Sequence, residues 1–261
     1  MVQARVDQRE RQVDGWGAPW LDEQLDDQTE GRGEVDMAAT AALMADPSRA
    51  AMLDILSDGR ALPAGELARV AGVSAQTASA HLSRLLAGGM VVVIVQGRHR
   101  YYRMASADVA TAVEAVARIS PPRQVRSLRE SRRAAALRMA RTCYDHVAGE
   151  LGVALLDSLV ARDWLVAAEG GGYQVTGAGD AGFDGFGLDM ATVRASRRMF
   201  ARPCLDWTER RAHLSGALGA ALCVRLLDLK WLVRRGPTER GLRLTDDGRS
   251  GLAETFGVTV R

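Results

Sequence analysis

Apolar and polar positions recur with a helical period between residues 66 and 86. The segment Glu66–Val73 predicts a short helix ending at Ala71-Gly72, a tight break of the kind that joins the two helices of a helix-turn-helix. At about 100° per residue, a second helix over Ser74–Leu86 separates an apolar stripe from a polar face. The stripe consists of Ala78, Leu82 and Leu85, and the outer face of Gln76, Thr77, Ser79, Ala80, Ser83 and Arg84. Such short polar side chains would let this helix lie deep in the major groove of DNA.

A strand pattern follows the second helix. Val91–Val95 is a β-branched run, Gln96-Gly97-Arg98 is a turn signal, and His99–Met104 returns with two tyrosines. The sequence therefore predicts a hairpin with basic groups at its tip. In a winged helix such a tip would contact phosphates or enter the minor groove, although a solvated charged hairpin has the same composition.

Candidate DNA-contacting residues come from both elements. His81 lies on the flank of the apolar stripe, where it would either support the helix or contact a phosphate. The complete set comprises Ser74, Gln76, Thr77, Ser79, His81 and Arg84 on the helix and Arg98, His99 and Arg100 on the wing.

Residues 37–119 resemble the ArsR family of winged helix-turn-helix repressors. The resemblance rests on DPSR at Asp46–Arg49, on SAHL at Ser79–Leu82 followed by Leu85, and on the hairpin QGRHRYYRM. It implies a homodimer built from flanking helices, here Met37–Met44 and Ser106–Ile119. The chain departs from metal-sensing members, because Pro63–Val70 has no cysteine and Ser106–Ile119 has no histidine. We therefore expect no metal site in this half.

Charge is distributed unevenly along the 261 residues. Residues 1–36 hold four arginines and ten acids, a balance of −6, and the remaining 30 basic and 22 acidic residues give +8. We predict that 1–36 is an acidic disordered tail and that only the rest is basic. Three cysteines fit a reducing compartment. No apolar run of about 18 residues occurs, so a cytoplasmic location is expected.

The segment after Ser120-Pro121-Pro122 contains an internal repeat. A shift of 67 residues gives ten identities in the 21 positions from 146 to 166. An arginine-rich helix over Gln124–Met139 is expected to precede the first unit. Each unit predicts a helix followed by a tryptophan, a hairpin, a threonine-capped turn and a last helix. The repeats span about residues 143–188 and 210–258 of a domain over 120–261.

The predicted fold class is mainly α with small β-hairpins (α+β). It combines an N-terminal winged helix-turn-helix with two degenerate winged-helix-like repeats that pack with a cleft between them. The string ARPCLDWTERR at 201–211, followed by HLSGALG, is similar to that of ArsR-type regulators with a duplicated C-terminal half. That resemblance implies regulation but no particular inducer.

Cysteine and histidine recur at the start of each repeat unit. If pseudo-symmetry brings these starts together, Cys143, His146, Cys204 and His213 would offer two thiolates and two imidazoles to zinc or another soft ion. Alternatively, Cys143 and Cys204 would form a redox-sensitive disulfide, or all four residues would simply be packed core groups. Trp207 is the candidate for contacting an organic ligand, and Cys223 is expected to be a core thiol.

These expectations describe a dimeric, sequence-specific transcriptional regulator that represses from an inverted-repeat operator in double-stranded DNA. Its C-terminal domain would sense a small molecule, a metal or an oxidant. The alternative is an architectural DNA-binding protein without an inducer. We expect no enzyme, because a nucleophile elbow, paired catalytic carboxylates and a zinc-hydrolase helix are all missing from the sequence.

Overall fold

The computed structural model describes residues 34–121, 124–237 and 239–260. Most of the predicted acidic tail, residues 1–33, lies outside the described residues. The last three residues of this tail, 34–36, are described. Asp36 caps the first helix, because its carboxylate accepts a hydrogen bond from the backbone N–H of Ala39.

The N-terminal half, residues 37–119, contains five helices and one antiparallel sheet. The helices are α1 (Met37–Ala45), α2 (Pro47–Leu56), α3 (Ala64–Ala71), α4 (Ala75–Ala87) and α5 (Ala107–Ile119). The strands are β1 (Leu62–Pro63), β2 (Val91–Gln96) and β3 (His99–Met104), in the order β1-β3-β2. This is the predicted winged helix-turn-helix, and the short strand β1 is an element that sequence patterning missed.

Local chemistry explains where the two central helices begin and end. Gly72 adopts the left-handed conformation, with φ of 67°, and ends α3. The Ser74 hydroxyl accepts a bond from the Thr77 backbone N–H and starts α4. Ala78, Leu82 and Leu85 are fully buried in the core of this half, as the apolar stripe predicted.

The C-terminal half begins with α6 (Leu128–Met139), which starts four residues later than the predicted helix. Two units of hairpin, helix, hairpin and helix follow. The first comprises β4 (Arg141–Cys143), β5 (His146–Ala148), α7 (Glu150–Ala161), β6 (Leu165–Ala167), β7 (Tyr173–Val175) and α8 (Gly177–Gly185). The short α9 (Met190–Arg194) leads into the second, which comprises β8 (Arg202–Leu205), β9 (Ala212–Ser215), α10 (Gly216–Asp228), β10 (Leu232–Arg234), β11 (Leu242–Leu244) and α11 (Asp246–Phe256).

Residues at equivalent positions make the same helix-capping contacts in the two units. Thr176 and Thr245 cap α8 and α11 by accepting bonds from Gly179 and Gly248. Both units contribute to one apolar core that is separate from the N-terminal core. Mixed helices and small antiparallel sheets confirm the predicted α+β class, whereas the winged-helix character of the repeats stays a prediction. No described helix combines the length and apolarity needed to cross a bilayer.

Candidate nucleic-acid interface and thiol–imidazole cluster

The outer face of α4 is open to solvent. Five predicted contact residues on this helix and its N-cap are exposed. They are Ser74, Gln76, Thr77, Ser79 and Arg84. Since the apolar stripe anchors the opposite side, the helix presents hydroxyls, one amide and one guanidinium on a single surface. This chemistry matches base edges and phosphates.

His81 differs from its neighbours on α4. Its side chain is only 14% exposed, and its Nδ1 lies 3.8 Å from Oδ1 of Asp46, the residue that caps α2. The geometry therefore favours the supporting role for His81 over direct phosphate contact.

The wing projects its charges into solvent. Strands β2 and β3 pair antiparallel from Val91↔Met104 to Gln96↔His99, which leaves Gly97 and Arg98 as the loop. Gly97 has a φ of 59°, a conformation that glycine adopts without a steric penalty. Arg98, His99 and Arg100 are all exposed at or beside this loop.

The second candidate site lies where the leading hairpins of the two repeat units meet. In the first Cys-His hairpin, β4–β5, Cys143 pairs with His146, and in the second, β8–β9, Cys204 pairs with His213. The two sulfurs are 3.9 Å apart, and the two Nε2 atoms are 3.2 Å apart. The four potential ligand atoms all lie within 4.8 Å of one another. The structure thus brings together all four residues of the predicted metal set, which forms the thiol–imidazole cluster.

Two glycines permit this close approach. A Cβ on Gly152 in α7 would lie 2.4 Å from the Val147 carbonyl oxygen and 3.4 Å from Cβ of His213. A Cβ on Gly219 in α10 would lie 2.5 Å from the Leu214 carbonyl oxygen and 3.3 Å from Cβ of His146. Each helix therefore supports the histidine of the other unit, as a pseudo-twofold arrangement requires.

A carboxylate lies behind each imidazole. Oδ1 of Asp145 is 3.3 Å from Nδ1 of His146, and Oδ2 of Asp206 is 3.4 Å from Nδ1 of His213. The second contact lies within ion-pair range but lacks hydrogen-bond geometry. Carboxylates in this position are the usual outer partners of metal-bound histidines.

Asp206 is also the centre of a buried polar network. Its carboxylate pairs with the Arg141 guanidinium at 2.9 Å and accepts a bond from the backbone N–H of Gly149 at 2.7 Å. Thr208 donates to it through both its N–H and its hydroxyl. Burial acts to raise the pKa of Asp206, but Arg141 and these donors hold that pKa well below its usual value. The second hairpin is therefore fixed to the first by a charged pair.

The two thiols of the cluster are not equivalent. The contact with Cys204 and burial raise the pKa of the Cys143 thiol to about 12. That same contact lowers the pKa of Cys204. Burial disfavours charge on His146, but the Cys143 sulfur and the Asp145 carboxylate outweigh it and raise the pKa of this imidazole to about 9. Cys204 is thus the thiol that ionises first.

The remaining predicted residues lie elsewhere. The Trp207 ring packs under the guanidinium of Arg141, which is 4.5 Å from the ring centroid, and its role in contacting an organic ligand stays a prediction. Cys223 is buried in the apolar core on α10, where burial raises the pKa of its thiol to about 12.

Contacts between the two halves form a set that the sequence did not predict. The turn residue Tyr144 donates its backbone N–H to the Ser57 carbonyl at 2.6 Å, and its side chain packs on the N-terminal core. The buried Arg240 pairs with Glu114 on α5 and with Asp54 on α2, and it also donates to the Thr142 carbonyl. These partners are 98 to 186 residues from Arg240 along the chain. No pattern of neighbouring residues in the sequence therefore predicts these contacts.

Comparison with known proteins places the chain in a family. A family model described as a helix-turn-helix domain matches residues 44–94. The uncharacterized HTH-type transcriptional regulator YdfF of Bacillus subtilis is 43% identical over 225 residues, which cover 86% of this chain and 99% of that protein. The chain belongs to the HTH-type transcriptional regulators. The prediction of a helix-turn-helix transcriptional regulator is thereby confirmed.

Two further matches cover about a third of the chain. The HTH-type transcriptional regulator CmtR of Mycobacterium tuberculosis is 36% identical over 80 residues, 31% of this chain and 67% of that protein. A solved structure, the homodimeric winged helix-turn-helix DNA-binding domain of Mb0332 from Mycobacterium bovis, is 34% identical. It covers 30% of this chain and 72% of that chain, with a TM-score of 0.29. The match to the Bacillus protein covers 86% of the chain and therefore extends over most of the C-terminal half.

Proposed function

We propose that the protein is a homodimeric repressor that binds an inverted-repeat operator and responds to a zinc-like ion held by the thiol–imidazole cluster. The observation that carries this proposal is the convergence of Cys143, His146, Cys204 and His213. A tetrahedral zinc ion bonded to two sulfurs and two nitrogens requires about 3.8 Å between the sulfurs and about 3.3 Å between the nitrogens. The separations of 3.9 Å and 3.2 Å are close to both.

Charge balance in the cluster also favours a cation. If each Nδ1 carries the proton that faces its carboxylate, the unprotonated Nε2 atoms of His146 and His213 face each other across 3.2 Å. If instead one neutral imidazole donates through Nε2, its bare Nδ1 faces a carboxylate. Both of these neutral arrangements leave a repulsion that a positive charge would remove, and without an ion a proton on His146, whose pKa is raised, would supply that charge. The two sulfurs beside them make a soft divalent ion a better match than a proton.

A disulfide is the second candidate state of the cluster. The 3.9 Å separation of the sulfurs is short enough for small movements to bring them into bonding distance. A disulfide accounts for the cysteines but gives no role to the paired imidazoles and their carboxylates. We therefore place metal binding first and treat oxidation as an outcome that the experiment distinguishes.

The first Cys-His hairpin supports a route from the ion to the DNA-binding half. Its turn residue Tyr144 bonds to Ser57, which follows α2, and its strand residue Thr142 bonds to Arg240. Arg240 in turn pairs with α2 and α5. A change in the hairpin on metal binding would thus shift elements that support α4. Such coupling requires that the ion bind two conformations with different affinity.

Exposed apolar residues support the homodimer. Among the described residues, α1 buries none of its side chains, and Met37 is 78% exposed. On α5, Val116 and Ile119 are exposed as well. We propose that these two helices pack against a second copy, as the ArsR resemblance implies. A dimer would place two copies of α4 in major grooves about 34 Å apart.

The test of metal binding uses the full-length protein. We expect one zinc or cadmium ion per chain by elemental analysis, with a sulfur-to-cadmium charge-transfer band in the ultraviolet. Cys143→Ser and Cys204→Ser should each lose the ion, while Cys223→Ser, a buried cysteine outside the cluster, should retain it. The proposal fails if the wild-type protein binds no ion, or if the Cys143→Ser/Cys204→Ser double variant binds as tightly. A response to peroxide that persists without bound metal would support the disulfide instead.

The test of DNA binding uses a duplex that the wild-type protein enriches from a random library. We expect the Gln76→Ala/Arg84→Ala variant to lose at least about tenfold in affinity, since each base-edge pair contributes about 1–3 kcal/mol. Arg243→Ala, which removes an exposed arginine from β11, should bind normally. If the wild type and both variants bind the duplex with equal affinity, α4 is not the element that contacts DNA. An unchanged affinity with and without the ion would favour the architectural alternative.

A further inference from the structure

A cavity of 610 Å³ lies between α5 and the two Cys-His hairpins. One wall is the face of α5 that carries Thr111 and Glu114, and the opposite wall contains Cys143 and Cys204. Cavities of about 300–1,000 Å³ are typical of small-molecule sites. The cavity therefore has room for an organic molecule beside the cluster that we propose as the metal site.

Positive charge dominates the cavity walls. The arginines that line it are Arg118, Arg198 and Arg202. Arg198 pairs with Asp145, whereas the side chains of Arg118 and Arg202 have no ion-pair partner among the described residues. The one other carboxylate in the lining belongs to Glu114, and Arg240 already neutralises it. Two guanidinium groups are thus available to a ligand.

The rest of the lining is largely apolar or lacks side chains. Four alanines line it together with Met199, Pro203 and Leu205, and four glycines add backbone without side chains. An inorganic anion would meet the arginines but leave this surface uncovered. A purely apolar ligand would leave the guanidinium groups without a partner. The lining therefore matches a molecule with one anionic group and an apolar body.

We propose that this cavity binds a small amphipathic organic anion, a carboxylate, sulfonate or phosphate ester, through Arg118 and Arg202. This site is additional to the proposed metal site and does not require an ion there. The occupant would contact α5 on one side and both Cys-His hairpins on the other. It would therefore act as a second effector on the surfaces that join the two halves.

The experiment is calorimetric titration of the full-length protein with three probes. Naphthalene-1-sulfonate has the anionic group and the apolar body, 1-naphthalenemethanol has the body alone, and sulfate has the charge alone. We expect the sulfonate to bind once per chain, at least about tenfold tighter than either other probe. The alcohol lacks the charge that strengthens a hydrogen bond to arginine, and sulfate lacks the apolar body that covers the rest of the lining. Equal affinity for the alcohol and the sulfonate, or no binding of the sulfonate, would overturn the proposal.

Three variants locate the site. Arg118→Gln/Arg202→Gln should weaken the sulfonate at least about tenfold and leave the alcohol unchanged, since it removes charge alone. Thr111→Trp, at an exposed position on α5 that lines the cavity, should weaken both probes by filling the space. Arg243→Gln is the matched charge control and should bind like the wild type. Normal sulfonate binding by the double variant and by Thr111→Trp would place the probe elsewhere and overturn the assignment. Because none of these changes touches the metal ligands, failure here leaves the metal proposal standing.

Discussion

The two Cys-His hairpins carry the same pair of side chains, but their turns and the partners of their aspartates differ. In the first, the two-residue turn Tyr144-Asp145 joins Cys143 directly to His146, and Asp145 pairs with Arg198 near the surface. In the second, a longer loop separates Cys204 from His213, and Asp206 is fully buried against Arg141. In both, aspartate follows cysteine by two positions. The duplication has thus kept the ligand chemistry while the support around it has diverged.

This difference assigns separate structural roles to the hairpins. The turn of the first touches the N-terminal half through Tyr144, whereas Asp206 of the second bonds back to Arg141 and Gly149 of the first unit. The second hairpin therefore fixes the geometry of the cluster, and the first connects the cluster to the DNA-binding half. Replacing equivalent residues in the two hairpins should separate these roles.

The largest effect should come from the buried carboxylate. Asp206→Asn leaves the Arg141 guanidinium buried without a negative partner, which typically costs about 3–5 kcal/mol. Asp145→Asn breaks a pair near the surface and should cost at most about 1 kcal/mol. Urea denaturation monitored by circular dichroism, with chelator present to exclude metal, gives the free energy of unfolding for both variants.

The two losses should differ by at least about 2 kcal/mol, the gap between typical buried and surface pairs. Losses of equal size would mean that the second hairpin is no more firmly anchored than the first. The asymmetry between the hairpins would then have no energetic basis.

Sequence patterning predicted most of the N-terminal half because its signals are local. Ser74, Gly72 and the apolar stripe on α4 act within a few residues of one another, and the paired strands of the wing are separated by two residues. The repeat predicted the helix and second hairpin of each C-terminal unit. Its pseudo-symmetry also indicated that the cysteines and histidines come together.

The leading hairpins could not be predicted in the same way. The aligned positions of the repeat begin at His146 and His213, so the first strand of each leading hairpin lies outside them. A strand of three residues such as Arg141–Cys143 is too short to establish a period of two by itself. The partners of Arg240 and the position of Trp207 depend on contacts between distant segments. Buried charge is the feature that patterning misses most readily, because an arginine in a sequence resembles a surface residue until its partners are known.

An intermediate effect is expected at the glycines that let the hairpins meet. Gly152→Ala and Gly219→Ala each place a methyl group within 2.5 Å of a backbone carbonyl oxygen. Overpacking of this kind typically costs about 1–3 kcal/mol, and it would move His213 or His146 away from the other ligands. We expect both variants to lose at least about tenfold in cadmium affinity, a loss of about 1.4 kcal/mol, measured by competition with a chromophoric chelator.

Gly177→Ala is the matched control, since a Cβ at that position has nothing within 4 Å. It should leave both stability and cadmium affinity near wild type. If one of the two buried glycines tolerates alanine and the other does not, the supporting contacts are not equivalent, and the pseudo-twofold description of the cluster is wrong.

The smallest effect on stability, and the most informative for function, is expected from Tyr144→Ala. The tyrosine ring is half-buried against the N-terminal core, so its removal should cost about 1 kcal/mol. The metal ligands are untouched, and cadmium stoichiometry should stay at one per chain. Coupling between two sites is typically about 1–3 kcal/mol, and Tyr144→Ala should remove most of the effect that the ion has on DNA affinity.

Leu205→Ala provides the control from the second hairpin, because Leu205 follows Cys204 as Tyr144 follows Cys143. Leu205 is 42% exposed and belongs to neither apolar core. Its replacement should leave both metal binding and the response of DNA affinity intact, as measured by fluorescence anisotropy with and without cadmium. If Leu205→Ala abolished the response and Tyr144→Ala preserved it, the second hairpin would be the connection to the DNA-binding half. The division of roles argued from their contacts would then be reversed.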